Sequence, residues 1–234
     1  VEEPPTHFEY KMITDIQQSK KEYVEKVEAL KKHIIAGDII QAVPSRRVQI
    51  ECDAAAMTVY GKLRKVNPSP YLFYIDFGDF QLTGASPESL VRVRNGKASI
   101  HPIAGTIHRG KNDAEDETLK QELLSNPKER AEHLMLVDLA RNDLGRVCKE
   151  GSVTVPQFME CELYSHVIHI VSNTEGLVRD GVKPIQVLRA SFPAGTVSGA
   201  PKISAMQILS GLESTKRRFY AGAVGYVQCN GDLD

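Results

Sequence analysis

Asn95-Gly96 stands between two alternating runs, ESLVRVR and KASIHPIAG, and no other feature constrains the chain as tightly. Both residue types accept positive φ, so the pair predicts a type I′ turn and an antiparallel hairpin. A second hairpin is expected just upstream, where YLFYIDF (71–77) and DFQLTGA (79–85) flank a tight turn. Helical periods surround these hairpins. From Ser19, the residues Tyr23, Val24, Val27, Leu30, Ile34 and Ile35 recur at helical spacing, and Gly37 stops the run. Further helices are expected at about 53–65, at 128–144 behind Pro127, at 183–190 and at 201–213. Strands are expected at about 39–50, with Pro44 as a break, and at 152–160, 164–176 and 221–229. Residues 1–18 show neither period and read as a linker; residues 107–118 are polar and read as a mobile loop. Hairpins mixed with long helices imply an α+β fold with mostly antiparallel sheet. The ending AGAVGYVQCNGDLD reads as a strand entering a turn with no return strand, so more sequence is expected after Asp234.

Charge narrows the function classes. The chain carries 29 basic and 30 acidic residues among 234, which gives no general attraction to nucleic acid or anionic membrane. A small anionic substrate would need a local basic or amide-lined pocket. No apolar run approaches the roughly 20 residues that span a bilayer, and VEEPPTHFEY has no signal-peptide pattern. Cys52, Cys148, Cys161 and Cys229 form no CxxC pair, so reduced cytoplasmic thiols are expected rather than a zinc site.

The segment NPKERAEHLMLVDLARNDLGRV is the richest in chemistry. Glu129 and Glu132 lie one helical turn apart on one face. The apolar run Leu134–Val137 leaves the helix little polar face and predicts burial on most sides. Carboxylates near such a helix are costly unless paired or bound to a cation. They suit Mg²⁺, which takes oxygen ligands and keeps several waters; the alternative is pairing with Lys128 or Arg130 on a solvated first turn. His133 sits beside them, but the absence of an HExxH spacing argues against zinc.

Four other segments carry weaker signals. FPAGTVSGAPK places Gly195, Thr196, Ser198 and Gly199 before a helix, as an anion cradle or an ordinary capped loop. Lys202 follows Pro201, so the phosphate-binding Gly-Lys-Ser/Thr succession is missing. HPIAGT ends a strand at Gly105-Thr106, either to offer amides to a ligand or to turn. Glu88 in TGASPESL is a single acid at a strand end, an N-cap or surface charge by itself. His166 and His169 are three apart in a β-like run and face opposite sides. His169, between Ile168 and Ile170, is either a hydrogen-bonded core residue or a general acid–base.

Taken together and in order, GDIIQAVPSRR, GASPESLV, PIAGT, ERAEHLMLVDLARNDLGRV, VIHIVS, PAGTVSGAPK and RRFYAGAVGY resemble the chorismate-utilising enzyme family from about residue 20 onward. The resemblance implies antiparallel sheets in a β-sandwich core between helical layers, with residues 19–234 as part of the catalytic domain. Within the family the chain looks most like the anthranilate synthase large subunits. Isochorismate-forming relatives carry a water-activating lysine where Gln41 stands, and aminodeoxychorismate synthases often carry a lysine where Ala104 stands.

The resemblance also implies roles. Glu129 and Glu132 match carboxylates at an Mg²⁺ site, Glu132 the more directly. Glu88 matches a general acid near the departing C4 hydroxyl, and His169 a histidine near the reacting ring. Gln41, Ala104, Gly105, Thr106, Thr196 and Tyr220 match substrate-contacting positions, and Thr196 is counted with His169 and Glu88 among the catalytic residues as well. The implied reaction adds ammonia to chorismate and eliminates pyruvate, opening tryptophan biosynthesis, with ammonia supplied by a glutamine amidotransferase subunit. Family members are about twice this length. The segments carrying the tryptophan feedback site and further Mg²⁺ glutamates are not in this sequence, so the chain alone is expected to be inactive. Aminodeoxychorismate synthesis, and a non-catalytic binding module on the same fold, are the competing readings.

Overall fold

A computed structural model describes residues 8–234. In chain order the elements are β1 (Tyr10–Met12), α1 (Ile16–Ala36), β2 (Gln41–Ala42), β3 (Ile50–Cys52), α2 (Ala56–Val66), β4 (Tyr71–Asp76) and β5 (Gln81–Ser86). Then follow β6 (Arg92–Arg94), β7 (Lys97–Ile100), β8 (Ile103–His108), α3 (Asp113–Ser125), α4 (Pro127–Gly145), β9 (Thr154–Leu163) and β10 (Val167–Leu177). The last are α5 (Pro184–Ser191), a 3₁₀ turn at Gly195–Val197, β11 (Gly199–Ala200) and α6 (Lys202–Leu212). The chain divides into two compact units, 1–29 with 44–89, and 30–43 with 90–234. Helix α1 begins in the first and ends in the second.

The first unit holds the β4–β5 hairpin, in register from Tyr71↔Ser86 to Asp76↔Gln81, and the short pair β1–β3. Helix α2 packs on β4 and β5. Glu88 belongs to this unit.

The second unit is built on five antiparallel strands. β10 is its spine, pairing with β7 and β8 along one edge and with β9 along the other, while β6 extends β7. The β6–β7 turn has Asn95 at φ 51° and Gly96 at φ 74°, the geometry expected from the dipeptide. Ile168, Ile170, Ser172 and Thr174 alternate along β10 and are fully or almost fully buried, as period-two patterning requires. Leu119 and Leu123 of α3 cover Ile168 and Ile170. Leu144 of α4, Val187 of α5, Val93 and Ala98 form a second cluster. Each fully buried aliphatic side chain contributes on the order of 1.5–3 kcal/mol. A third cluster, Leu30, Ile39, Ala205 and Leu209, seats α6 and the short β2–β11 pair.

Several expectations are corrected. Residues 1–7 of the expected linker lie outside the described residues, but Tyr10–Met12 pair with β3 and α1 starts at Ile16, not Ser19. The polar stretch after 107 is not a loop. It continues β8 to His108 and then starts α3, where the Asn112 side chain accepts from the Glu115 amide and three acids fill the first turn. Helix α4 is not buried on most sides; His133, Leu136, Val137, Ala140, Asp143 and Leu144 are buried, whereas Leu134 is 46% exposed. The expected strand at 221–229 reduces to isolated bridges, and the chain does return: Leu233 bridges both Val227 and Val93. Asp232 then accepts from the Asn95 amide, and Asp234 pairs with Arg92 and Arg94.

Candidate functional site

Helix α4 sets the first part of the site. Asn126 caps it by accepting from the amides of Lys128 and Glu129, and Pro127 occupies the first turn. Two stripes run down the helix. His133, Val137, Ala140 and Leu144 recur at helical spacing and are all buried. The neighbouring stripe carries Glu129, Glu132, Leu136, Leu139 and Asp143. Both glutamates are half-buried, and neither forms an ion pair among the described residues, with Lys128, Arg130 or any other group. Arg130 instead donates to the Leu124 carbonyl. The solvated ion-paired turn is therefore not what forms.

The second part is an irregularity in the sheet. His169 pairs with Thr106 and Val171 pairs with Ile103, so Ala104 and Gly105 together oppose Ile170. This is a β-bulge on β8, and Gly105 takes φ +87° to make it. A Cβ there would lie 2.9 Å from Ile170 Cδ1 and 3.5 Å from Glu129 Oε2. The Glu129 carboxylate thus lies against the backbone of the bulge. On the next residue, Thr106 Oγ1 is 2.8 Å from His169 Nδ1. The edge of the Tyr164 ring also meets the imidazole, at 5.1 Å between centroids. With Nδ1 engaged, His169 Nε2 is the nitrogen left for chemistry. His166 precedes β10 and is exposed.

The third part is the loop between α5 and α6, bounded by cis peptides at Phe192-Pro193 and Ala200-Pro201. Gly195 comes so close to α4 that a Cβ would be 2.7 Å from Leu139 Cδ1. Leu139 shares the stripe of Glu129 and Glu132, so Thr196 is carried at the helix face that bears the acids. Gly199 packs against the backbone of Gln41 and Ala42, pairing β11 with β2. That pairing brings the Gln41 and Thr196 segments together. Gln41 Oε1 is buried without a hydrogen-bond partner among the described residues.

Two ionic fastenings hold this loop, and neither was expected. Lys202 Nζ is buried and donates to Asp143 Oδ2 at 2.7 Å and to the Ser191 carbonyl at 2.9 Å. Its charge therefore serves the fold, not an anion. Burial pushes the Asp143 carboxyl above the ordinary range, and Lys202 pulls it back in part. Arg217 donates to both carboxylate oxygens of Glu213, to the Val197 carbonyl and to the Val43 carbonyl. Its guanidinium also lies 5.9 Å from the Tyr220 ring, which is 55% exposed. The signals were present in SGAPK and RRFY, but sequence does not show which carbonyls a cation will reach.

His133 is not a metal ligand. It is fully buried, with Nδ1 3.0 Å from the Ala104 carbonyl and Nε2 2.7 Å from Ser172 Oγ. Among the described residues no three His, Cys, Asp or Glu side chains gather as a metal cluster. Glu129 and Glu132 are half-buried carboxylates one helical turn apart, and carboxylate oxygen is the donor type that Mg²⁺ takes while retaining water.

Of the residues singled out, Gln41, Ala104, Gly105, Thr106, Glu129, Glu132, His169, Thr196 and Tyr220 all belong to the second unit, and Glu88 to the first. Burial raises the Glu88 carboxyl to about 7. No helix among the described residues is long and apolar enough to cross a membrane.

Comparison with known proteins identifies relatives of this chain. Anthranilate synthase component 1 of Spirochaeta aurantia is 56% identical over 212 residues, 91% of this chain and 44% of that protein. The Geobacillus stearothermophilus protein of the same name is 53% identical over 92% of this chain and 42% of its own length. The chain therefore spans less than half the length of these relatives. The crystal structure of anthranilate synthase component I from Streptococcus pneumoniae superposes with a TM-score of 0.84 at 43% identity, covering 97% of this chain and 49% of that one. The menaquinone-specific isochorismate synthase of Escherichia coli shares the fold, with a TM-score of 0.79 at 21% identity. Residues 2–234 match the chorismate binding enzyme family, and the chain belongs to it.

Proposed function

We propose that this chain is the chorismate-binding part of an anthranilate synthase large subunit, a lyase that converts chorismate and ammonia to anthranilate and pyruvate. The observation that carries the reading is the convergence on the β8 bulge. Glu129 lies against the Gly105 backbone, and the next residue, Thr106, is bonded to His169. Glu129 and Glu132 would hold Mg²⁺, which would neutralise and orient a substrate carboxylate. Gly105, Thr106, Thr196 and Tyr220 bind and orient the ring. Gln41 and Ala104 leave the pocket without a lysine, so no strong base competes to activate water and ammonia is the nucleophile. By the family resemblance Glu88, whose carboxyl burial raises to about 7, is assigned the role of general acid toward the C4 hydroxyl. His169 moves a proton through Nε2 during pyruvate loss. Ammonia comes from a glutamine amidotransferase partner, and the reaction is placed in the cytoplasm, at the entry to tryptophan biosynthesis. The relatives' names and the 51–56% identities support this branch over the isochorismate-forming one.

The test supplies chorismate, Mg²⁺ and ammonium to the chain in its full-length context. Anthranilate fluorescence with stoichiometric pyruvate is expected. Aminodeoxychorismate without pyruvate would assign the chain to the sister activity. Glu132→Gln and His169→Ala should each lower the rate at least about 10²-fold; unchanged rates would leave only a binding module. The 234-residue chain alone is expected to be inactive, and robust Mg²⁺-dependent fluorescence from it would overturn that expectation.

A further inference from the structure

The bulge at Ala104–Gly105 is held from beneath by an unbroken chain of hydrogen bonds. The Met159 amide donates to Ser172 Oγ at 2.9 Å, and Ser172 Oγ lies 2.7 Å from His133 Nε2. His133 Nδ1 lies 3.0 Å from the Ala104 carbonyl. A carbonyl can only accept, so Nδ1 carries the proton. A neutral imidazole protonated on Nδ1 has a bare Nε2, and the Ser172 hydroxyl donates to it while one of its own lone pairs accepts from the Met159 amide. The three strands involved are β8, β9 and β10, and the histidine comes from α4, between Glu132 and Leu134.

A bulged strand lacks the ladder bonds that normally fix backbone orientation. Here the extra residues carry Gly105, which meets Glu129, and lead directly to Thr106, which holds His169. We propose that His133 is a positioning residue that reads the Ala104 carbonyl and so fixes the bulge, setting the Gly105 backbone and the Thr106–His169 pair. It never touches substrate. Its functional consequence rests on the reading of that face as the chorismate site, but the positioning role itself does not.

The Nδ1 and Nε2 functions can be separated by substitution. In His133→Asn the amide nitrogen can stand in for Nδ1–H toward Ala104. In His133→Gln the amide oxygen can stand in for Nε2 toward Ser172, and the donor to Ala104 is lost. The experiment measures imidazole ¹⁵N shifts of the wild-type 234-residue chain, then amide exchange at Ala104–Thr106 and the His169 ring signals in both variants. The expected result is a wild-type His133 protonated on Nδ1 alone. The Asn variant should keep near-native exchange and His169 signals, whereas the Gln variant should exchange at least about tenfold faster at Gly105 and Thr106 and shift His169. Loss of packing alone would disturb both variants alike, so the order Asn over Gln distinguishes positioning from bulk. Protonation of wild-type His133 on Nε2, a measurement that needs no variant to fold, overturns the proposal, as does a Gln variant no worse than Asn. Neither readout uses chorismate or Mg²⁺. Failure of the wild type to bind chorismate would count against the proposed function instead, not against this role.

Discussion

The dipeptide Gly-Thr occurs twice at the candidate site, and the two copies are fastened by opposite means. Gly105-Thr106 sits in a sheet bulge, tied down by neutral groups: an imidazole, a serine hydroxyl and backbone amides. Gly195-Thr196 sits in an irregular loop, tied by two ionic groups, Lys202 with Asp143 and Arg217 with Glu213. The difference follows from what surrounds each. The bulge interrupts the ladder only locally, with paired residues on both sides of it, so one directional bond to its freed carbonyl suffices. The loop has few ladder partners, and long cations can reach several carbonyls at once. Sensitivity to mutation and to pH should therefore differ between two copies of the same two residues.

The strongest way to break this contrast is Lys202→Met. It leaves Asp143 buried and unpaired, and should cost about 3–5 kcal/mol in urea unfolding. The loss should depend on pH. Burial already holds the Asp143 carboxyl above the ordinary carboxylate range, and removing the lysine removes the opposing pull. A carboxyl whose folded pKa is raised loses stability as pH climbs from its unfolded value through the folded one. The deficit against wild type should thus be smallest in acid and grow toward neutral pH. A pH-independent deficit would mean that Lys202 acts by packing alone. Next in size is Arg217→Lys, which keeps the charge but loses the planar fork that spans Glu213, Val43 and Val197. A destabilisation of about 1.5–3 kcal/mol is expected. Amide exchange in the chain at 194–199 should rise with it.

How much of this was legible beforehand divides along the same line. Period-two and helical patterning gave the antiparallel sheet, the long helix and most element positions, because burial of one face leaves its mark on every second or every third to fourth residue. The hairpin at Asn95-Gly96 followed from backbone sterics alone. The end of the chain was misread because Asp232 and Leu233 find partners around residue 93, some 140 positions away, and no local pattern encodes that. Helix α3 carries Asn112 and Glu115 at capping spacing, but its run of charged residues hides the helical period. At the candidate site, residue type and order single out Glu129, Gly105, Thr106 and His169, but not the groups that hold them. His133 drew notice only as a possible ligand; its actual partners, Ala104 and Ser172, lie 29 and 39 residues away. Fastening depends on three-dimensional neighbours, whereas candidate chemistry depends on residue type and order.

The glycines sharpen the comparison further. Gly105→Ala should cost about 1–3 kcal/mol, because the left-handed φ of +87° is strained for alanine and the new methyl would press on Ile170. Gly195→Ala meets only the tip of Leu139, a flexible side chain, in a backbone without positive φ. About 1 kcal/mol or less is expected there. Thermal melts of the two variants check the order, and the reverse order would show that the loop, not the bulge, is the stiffer partner.

The smallest effect separates the two threonines. Thr106→Val keeps the β-branched shape that suits a strand but deletes the hydroxyl bonded to His169 Nδ1. The bond is solvent-exposed, so its loss should cost only about 0.5–1 kcal/mol. Thr196 is also exposed, and its hydroxyl has no partner among the described residues, so Thr196→Val should leave stability unchanged. Chemical denaturation of the pair resolves a difference of this size when both variants share one m-value. Under the proposed function both hydroxyls face substrate, so both variants should weaken chorismate binding even though only one weakens the fold. Equal stability losses would mean that the loop threonine is already engaged by the protein and not held in reserve for a ligand.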